Sequence, residues 1–102
     1  VWAYPTMFPE GFAIAGIRAT AAGLVPVYRK VAAMEEVQYP SPFAVEGKPW
    51  EDGGREEFTD ALCAALKASQ SDEFNRHDAR LWALEHHQWS TVAERVIKAL
   101  GL

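Results

Sequence analysis

The sequence predicts an α/β fold: a three-stranded parallel sheet with flanking helices and a helical C-terminal region. Three observations predict it. Two short apolar runs, Val1 to Tyr4 and Leu24 to Tyr28, flank a small-residue helix, Gly11 to Ala22. A third short run, Phe43-Ala44-Val45, follows one or two helical turns. From Phe58 onward, apolar residues recur at helical spacing. Right-handed crossovers make a β-α-β-α-β order a parallel sheet.

Each element has a local reason. Val1 to Tyr4 is apolar and ends at Pro5. The helix Gly11 to Ala22 carries one charge, Arg18, as expected of a helix covered on most sides. Gly23 is placed to cap it. In the second strand Pro26 removes a ladder donor, so it belongs at a strand end or an unpaired edge. Val31 to Val37 reads as helix, stopped by Tyr39-Pro40-Ser41-Pro42. Glu46 to Gly54 is a Gly/Pro loop. Phe58, Leu62, Ala65 and Leu66 form the stripe of the next helix, with Glu56 and Glu57 in its first turn, where the dipole favours them. Asp72 to His87 carries Phe74, Leu81, Trp82 and Leu84. The last helix is predicted to start near Ser90-Thr91, with Thr91 and Glu94 as a capping box and an inward face of Val92, Ala93, Val96, Ile97 and Leu100.

Composition excludes several classes. A chain of 102 residues is expected to form a single domain, residues 1–102. Ten Lys and Arg against fourteen Asp and Glu give a net charge of -4, which argues against nucleic acid as a partner. No apolar run is long enough to span a membrane. The lone Cys63 excludes an internal disulfide and fits a reducing, cytoplasmic setting. There is no basic segment ahead of an apolar one, so no signal peptide is expected. The chain opens on an apolar strand without Met, as a fragment, a processed product or a trimmed sequence would.

Few residues carry chemistry. Glu10 precedes an apolar helix, where a carboxylate either binds something or is stabilised by the dipole, worth about 0.3–1 kcal/mol. Arg18 is expected to be ion-paired or to reach solvent, since a bare buried charge is costly. His86 and His87 are adjacent on a helix and point about 100° apart. With His77 they are read as surface residues, so no metal is expected. Cys63 has no basic neighbour and reads as a small core residue. Trp82 and Trp89 fall at core-facing positions, Trp50 falls in the Gly/Pro loop where it can serve a contact surface, and at least three of the four tryptophans, Trp2 included, are expected in the core.

Several segments together resemble a family. Tyr4-Pro5-Thr6, Glu10-Gly11-Phe12 and Ala21-Ala22-Gly23-Leu24 with Pro26-Val27 are similar to the second domain of retaining glycosyltransferases of the glycogen-synthase-like type, the GT-B fold. Ala32-Ala33-Met34-Glu35-Glu36-Val37, Pro42-Phe43-Ala44-Val45 and His87-Gln88-Trp89-Ser90 resemble later segments in the same order. The resemblance implies half of a Rossmann-like domain and part of a nucleotide-sugar donor site. It places Thr6, Glu10, Gly11, Phe12 and Arg18 at substrate-binding positions, with Glu10 on the donor sugar. The family carries a second Glu where this chain has Arg18, and an arginine accepts no hydrogen bond from ribose hydroxyls. The segment that supplies the family's diphosphate-binding Arg and Lys has no counterpart here.

The resemblance therefore implies a fragment or remnant of a retaining glycosyltransferase, inactive alone and needing no cofactor. Its opening strand would lie mid-sheet in the family, so a homodimer, or pairing with the remainder of a longer chain, is expected at that edge. The alternative is a non-catalytic, self-associating structural or interaction module.

Overall fold

The computed structural model describes residues 1–7 and 13–101. Two strands and five helices follow in order: β1 (Trp2–Tyr4), α1 (Ile14–Ala21), β2 (Pro26–Tyr28), α2 (Met34–Val37), α3 (Asp52–Ser69), α4 (Arg76–His87) and α5 (Trp89–Ala99).

The expected three-stranded sheet, half of a Rossmann-like domain, is not formed. The sheet has two short strands, β1 and β2, parallel, with Trp2 beside Pro26, Ala3 beside Val27 and Tyr4 beside Tyr28. Most of the regular structure is helix, which makes this a small, mostly helical α/β fold. The run Phe43 to Val45 touches the sheet at one bridge, Arg29 to Val45. There Lys30 N donates to Val45 O at 2.7 Å and Val45 N to Tyr28 O at 2.9 Å. The reason is local. Ser41 Oγ donates to Pro26 O at 2.6 Å and accepts from Phe43 N at 3.1 Å, while Ala44 N donates back to Ser41 O at 3.2 Å. These bonds curl residues 41–44 into a turn, and Pro40 and Pro42 bring no donor to a ladder.

The β1-α1-β2 unit follows the sequence closely. Pro26 opens β2, where its missing N–H does least harm. Gly23 takes a φ of 86° and ends α1, with Gly23 N donating to Thr20 O and Leu24 N to Ala19 O. Side chains alternate across β2. Val25 and Val27 join Val45, Phe58, Ala65, Ala68, Phe74 and Ala79 in the main core, against α3. Tyr28 is buried too, and its hydroxyl donates to Tyr39 O at 2.8 Å. Burial first, and the Glu35 charge after it, raise the Tyr28 pKa above the ordinary 10.0, against a backbone hydrogen bond at Ser41 that lowers it.

The helical half departs from expectation in several places. In α3, Phe58, Ala65 and Ala68 are buried and Leu62 is half-buried. Cys63 and Leu66 are exposed, because each follows a stripe residue by one position and so sits about 100° off the stripe. Leu81 and Leu84 of α4 are exposed as well, while Phe74 is buried.

Helix α5 begins at Trp89, two residues before Thr91, and no side chain caps it, so the expected capping box is not used. None of its residues is buried. Its main contact among the described residues is with α4. The molecule measures 52 × 31 × 16 Å. Its radius of gyration, 14.9 Å, exceeds the ~13 Å of a compact chain this long. A slab so thin leaves α5 no interior to enter.

Arg76, in the first turn of α4, ties that helix to the end of α1 and the end of α3. Its Nε donates to Gly23 O at 3.1 Å and its guanidinium also donates to Ser69 O.

Candidate functional site

The carboxyl end of β1 leads into α1, the position where open parallel sheets bind ligands. Glu10, Gly11 and Phe12 lie outside the described residues. Thr6, just beyond β1, is buried. Ala13 immediately precedes α1 with a φ of 48°, a left-handed conformation that costs a non-glycine residue about 1–3 kcal/mol. Two donors hold it there. Ala13 O accepts from Gly16 N at 3.0 Å and from Gln38 Nε2 at 3.0 Å. Gln38 is itself buried at the end of α2. The start of α1 is thus fixed from within and from α2.

Arg18 is exposed, as expected, and its side chain makes no ion pair or hydrogen bond among the described residues. It lines a hollow of about 200 Å³ with Ile14, Ile17, His87 and Trp89. A second hollow of about 330 Å³, lined by His86, His87, Trp89, Val92 and Arg95, shares His87 and Trp89 with the first. The two form one groove between α1, the end of α4 and the start of α5. Thr6 is not among its lining residues.

Trp89 is 85% exposed, which corrects the expectation of a core-facing residue. Trp50, 39% exposed, stacks under Arg29, whose Cζ lies 4.9 Å from the ring centroid. Trp2 and Trp82 are half-buried. No tryptophan is fully enclosed, because the slab is too thin to surround so large a ring.

The histidines are not equivalent surface groups. His77 and His86 are exposed and His87 is half-buried. His87 Nε2 lies 2.9 Å from Val37 O, and a carbonyl only accepts, so Nε2 carries the proton. His86 Nδ1 lies 2.9 Å from Trp82 O and carries its proton by the same argument. The His86 ring stacks on Trp82 with centroids 4.9 Å apart. Burial is the main cause that lowers the His87 pKa below 6.5, joined by the charges of His86 and Arg95 and opposed by the Val37 hydrogen bond. At neutral pH His87 therefore brings no charge to the groove. Among the described residues no three His, Cys, Asp or Glu groups converge on a point where a metal could sit.

Sequence reasoning singled out Arg18 and missed its neighbours. The sequence places Trp89 in the core and His87 on the surface. No periodicity signal separates a tryptophan facing the core from one facing an open groove. No family model, no curated protein and no solved structure matches the chain.

Proposed function

We propose that the chain carries one wall of a nucleotide-sugar donor site of the retaining glycosyltransferase type and does not transfer sugar by itself. The parallel β1-α1-β2 unit supports the reading, with a strained Ala13 held at the point where the loop enters α1. In this reading Glu10 accepts hydrogen bonds from sugar hydroxyls, and the Gly11 backbone allows close approach. Phe12 and Thr6 shape the loop, and Arg18 meets the anionic part of the donor. The setting is cytoplasmic. The diphosphate grip comes from a second copy or from a longer chain that includes these residues. Among the described residues, no helix is long and apolar enough to cross a membrane.

Positioning and charge stabilisation supply most of a transfer rate, and this sequence has no counterpart of the diphosphate ligands. The expected result is weak, saturable binding of nucleotide sugars by calorimetry, lost in Glu10→Ala, with no transfer or donor hydrolysis. Binding that Glu10→Ala leaves unchanged would overturn the assignment. Turnover by the chain alone, abolished in Glu10→Ala, would overturn the inactivity.

One observation favours the second reading, a self-associating interaction module. Helix α5 buries none of its residues, and Ala3 is exposed on the β1 edge that faces away from β2. In this reading, a second copy pairs with that edge. Sedimentation at micromolar concentration checks it: a dimer that Ala3→Pro disperses supports it, and a monodisperse monomer removes it.

A further inference from the structure

We infer that the groove between α1, α4 and α5 binds a planar ring bearing an anionic group, the ring on Trp89 and the anion on Arg18 and Arg95. The inference shares Arg18 with the donor-sugar reading and rests on Trp89 and Arg95, which that reading does not use.

Charge is the first argument. The chain has more acidic than basic residues, fourteen against ten. Yet, among the described residues, the groove lining contains two arginines and no carboxylate. Neither arginine is ion-paired among the described residues. Among the described residues the Arg18 side chain has no partner, and the Arg95 side chain makes only a long contact, Nη1 to His86 O at 3.5 Å. A planar guanidinium grips carboxylate or phosphate with two parallel hydrogen bonds. His87 adds no charge, since burial keeps it neutral and its Nε2 proton is engaged by Val37 O.

Shape is the second. Trp89 is 85% exposed and lines both hollows. In this proposal a ring laid on it meets Arg18 among the residues of one hollow and Arg95 among those of the other. Ile14, Ile17 and Val92 supply apolar walls. The larger hollow, about 330 Å³, reaches the lower end of the range for small-molecule sites, ~300–1,000 Å³. Stacking on an exposed indole tolerates many rings, so the anion sets the preference.

A nucleoside phosphate and an aryl carboxylate share this chemistry. The test titrates the ¹⁵N-labelled chain with uridine monophosphate, indole-3-acetate, uridine and inorganic phosphate. It follows the Trp89 indole N–H, assigned by its disappearance in Trp89→Phe. The expected result is a saturable shift with at least one ring anion at millimolar concentration or below. Uncharged uridine and phosphate alone bind weaker by about tenfold or more. Arg18→Gln with Arg95→Gln, both on exposed side chains, reduces affinity by a similar factor while the rest of the spectrum stays in place. Tighter binding of uridine monophosphate assigns the site to nucleotides, and tighter binding of indole-3-acetate assigns it to aryl acids. Either supports the proposal. It is overturned if neither ring anion moves the Trp89 signal, if the double arginine variant binds as well, or if phosphate alone binds as tightly.

Discussion

The Trp2 indole occupies the space that a side chain at position 16 would need: a Cβ on Gly16 would lie 2.6 Å from the ring's Cη2 and would also overlap Gln38 Oε1. This contact seats α1 directly on β1. Trp2 in turn stacks on Tyr4 with ring centroids 5.1 Å apart.

Gly16→Ala should therefore destabilise the fold although alanine is the better helix former. Overpacking of this kind costs about 1–3 kcal/mol. Urea denaturation measures it. Trp2→Leu in the same chain should recover part of the loss, and a Gly16→Ala variant as stable as the parent would show that α1 can slide away from β1.

Asn75 caps α4: its Oδ1 accepts from Asp78 N at 3.0 Å. Asn75→Ala removes that acceptor at a cost of about 0.5–2 kcal/mol, and Asn75→Asp should largely retain it. Thermal melts of the two variants, compared at one pH, decide the point.

Ser41 satisfies two backbone groups at once, Pro26 O and Phe43 N. Ser41→Ala leaves both without that hydroxyl in a buried setting, for about 1–3 kcal/mol. Faster amide exchange at Phe43 should accompany the loss, because the turn that keeps residues 41–44 out of the sheet loses its anchor.

His87 makes stability depend on pH in a defined direction. In the unfolded chain the imidazole takes its proton near 6.5, and in the folded chain only at lower pH. Between those values the unfolded state holds more protons, so the contribution is complete above 6.5 and declines as pH falls. Among the described residues His86, Arg95, the Val37 carbonyl and the Trp82 ring face it, and Arg18 lines the same hollow. Urea midpoints measured from pH 8 down to 5 should fall. They should fall less in His87→Gln, and an identical profile in that variant would place the effect elsewhere.

The β1-α1-β2 unit was legible because its signals are local: an apolar run, a small-residue helix, and Gly23, whose φ is positive where α1 ends. The third strand was not. Phe43 to Val45 has strand-like composition, and what prevents pairing is a hydroxyl on Ser41 reaching Pro26 across fifteen residues. The burial of α5 was over-read for a related reason. Val92, Val96, Ile97 and Leu100 have the spacing of a core stripe, but periodicity reports that a face is apolar, not that anything covers it. At the candidate site Arg18 was visible as the one charge in its helix. Trp89 and Arg95 join it only through the turn between α4 and α5.

The two hydrogen bonds of Arg76 bear on how the chain is made. Gly23 and Arg76 are 53 residues apart, and the second carbonyl that the guanidinium reaches ends α3. During synthesis from the N-terminus, β1, α1 and β2 emerge long before the side chain that completes α1's end. The face of α1 that receives α4 stays uncovered until synthesis has passed His87. Such distant closure slows folding. The nascent first quarter of the chain therefore waits, half-packed and apolar, for the last quarter to arrive.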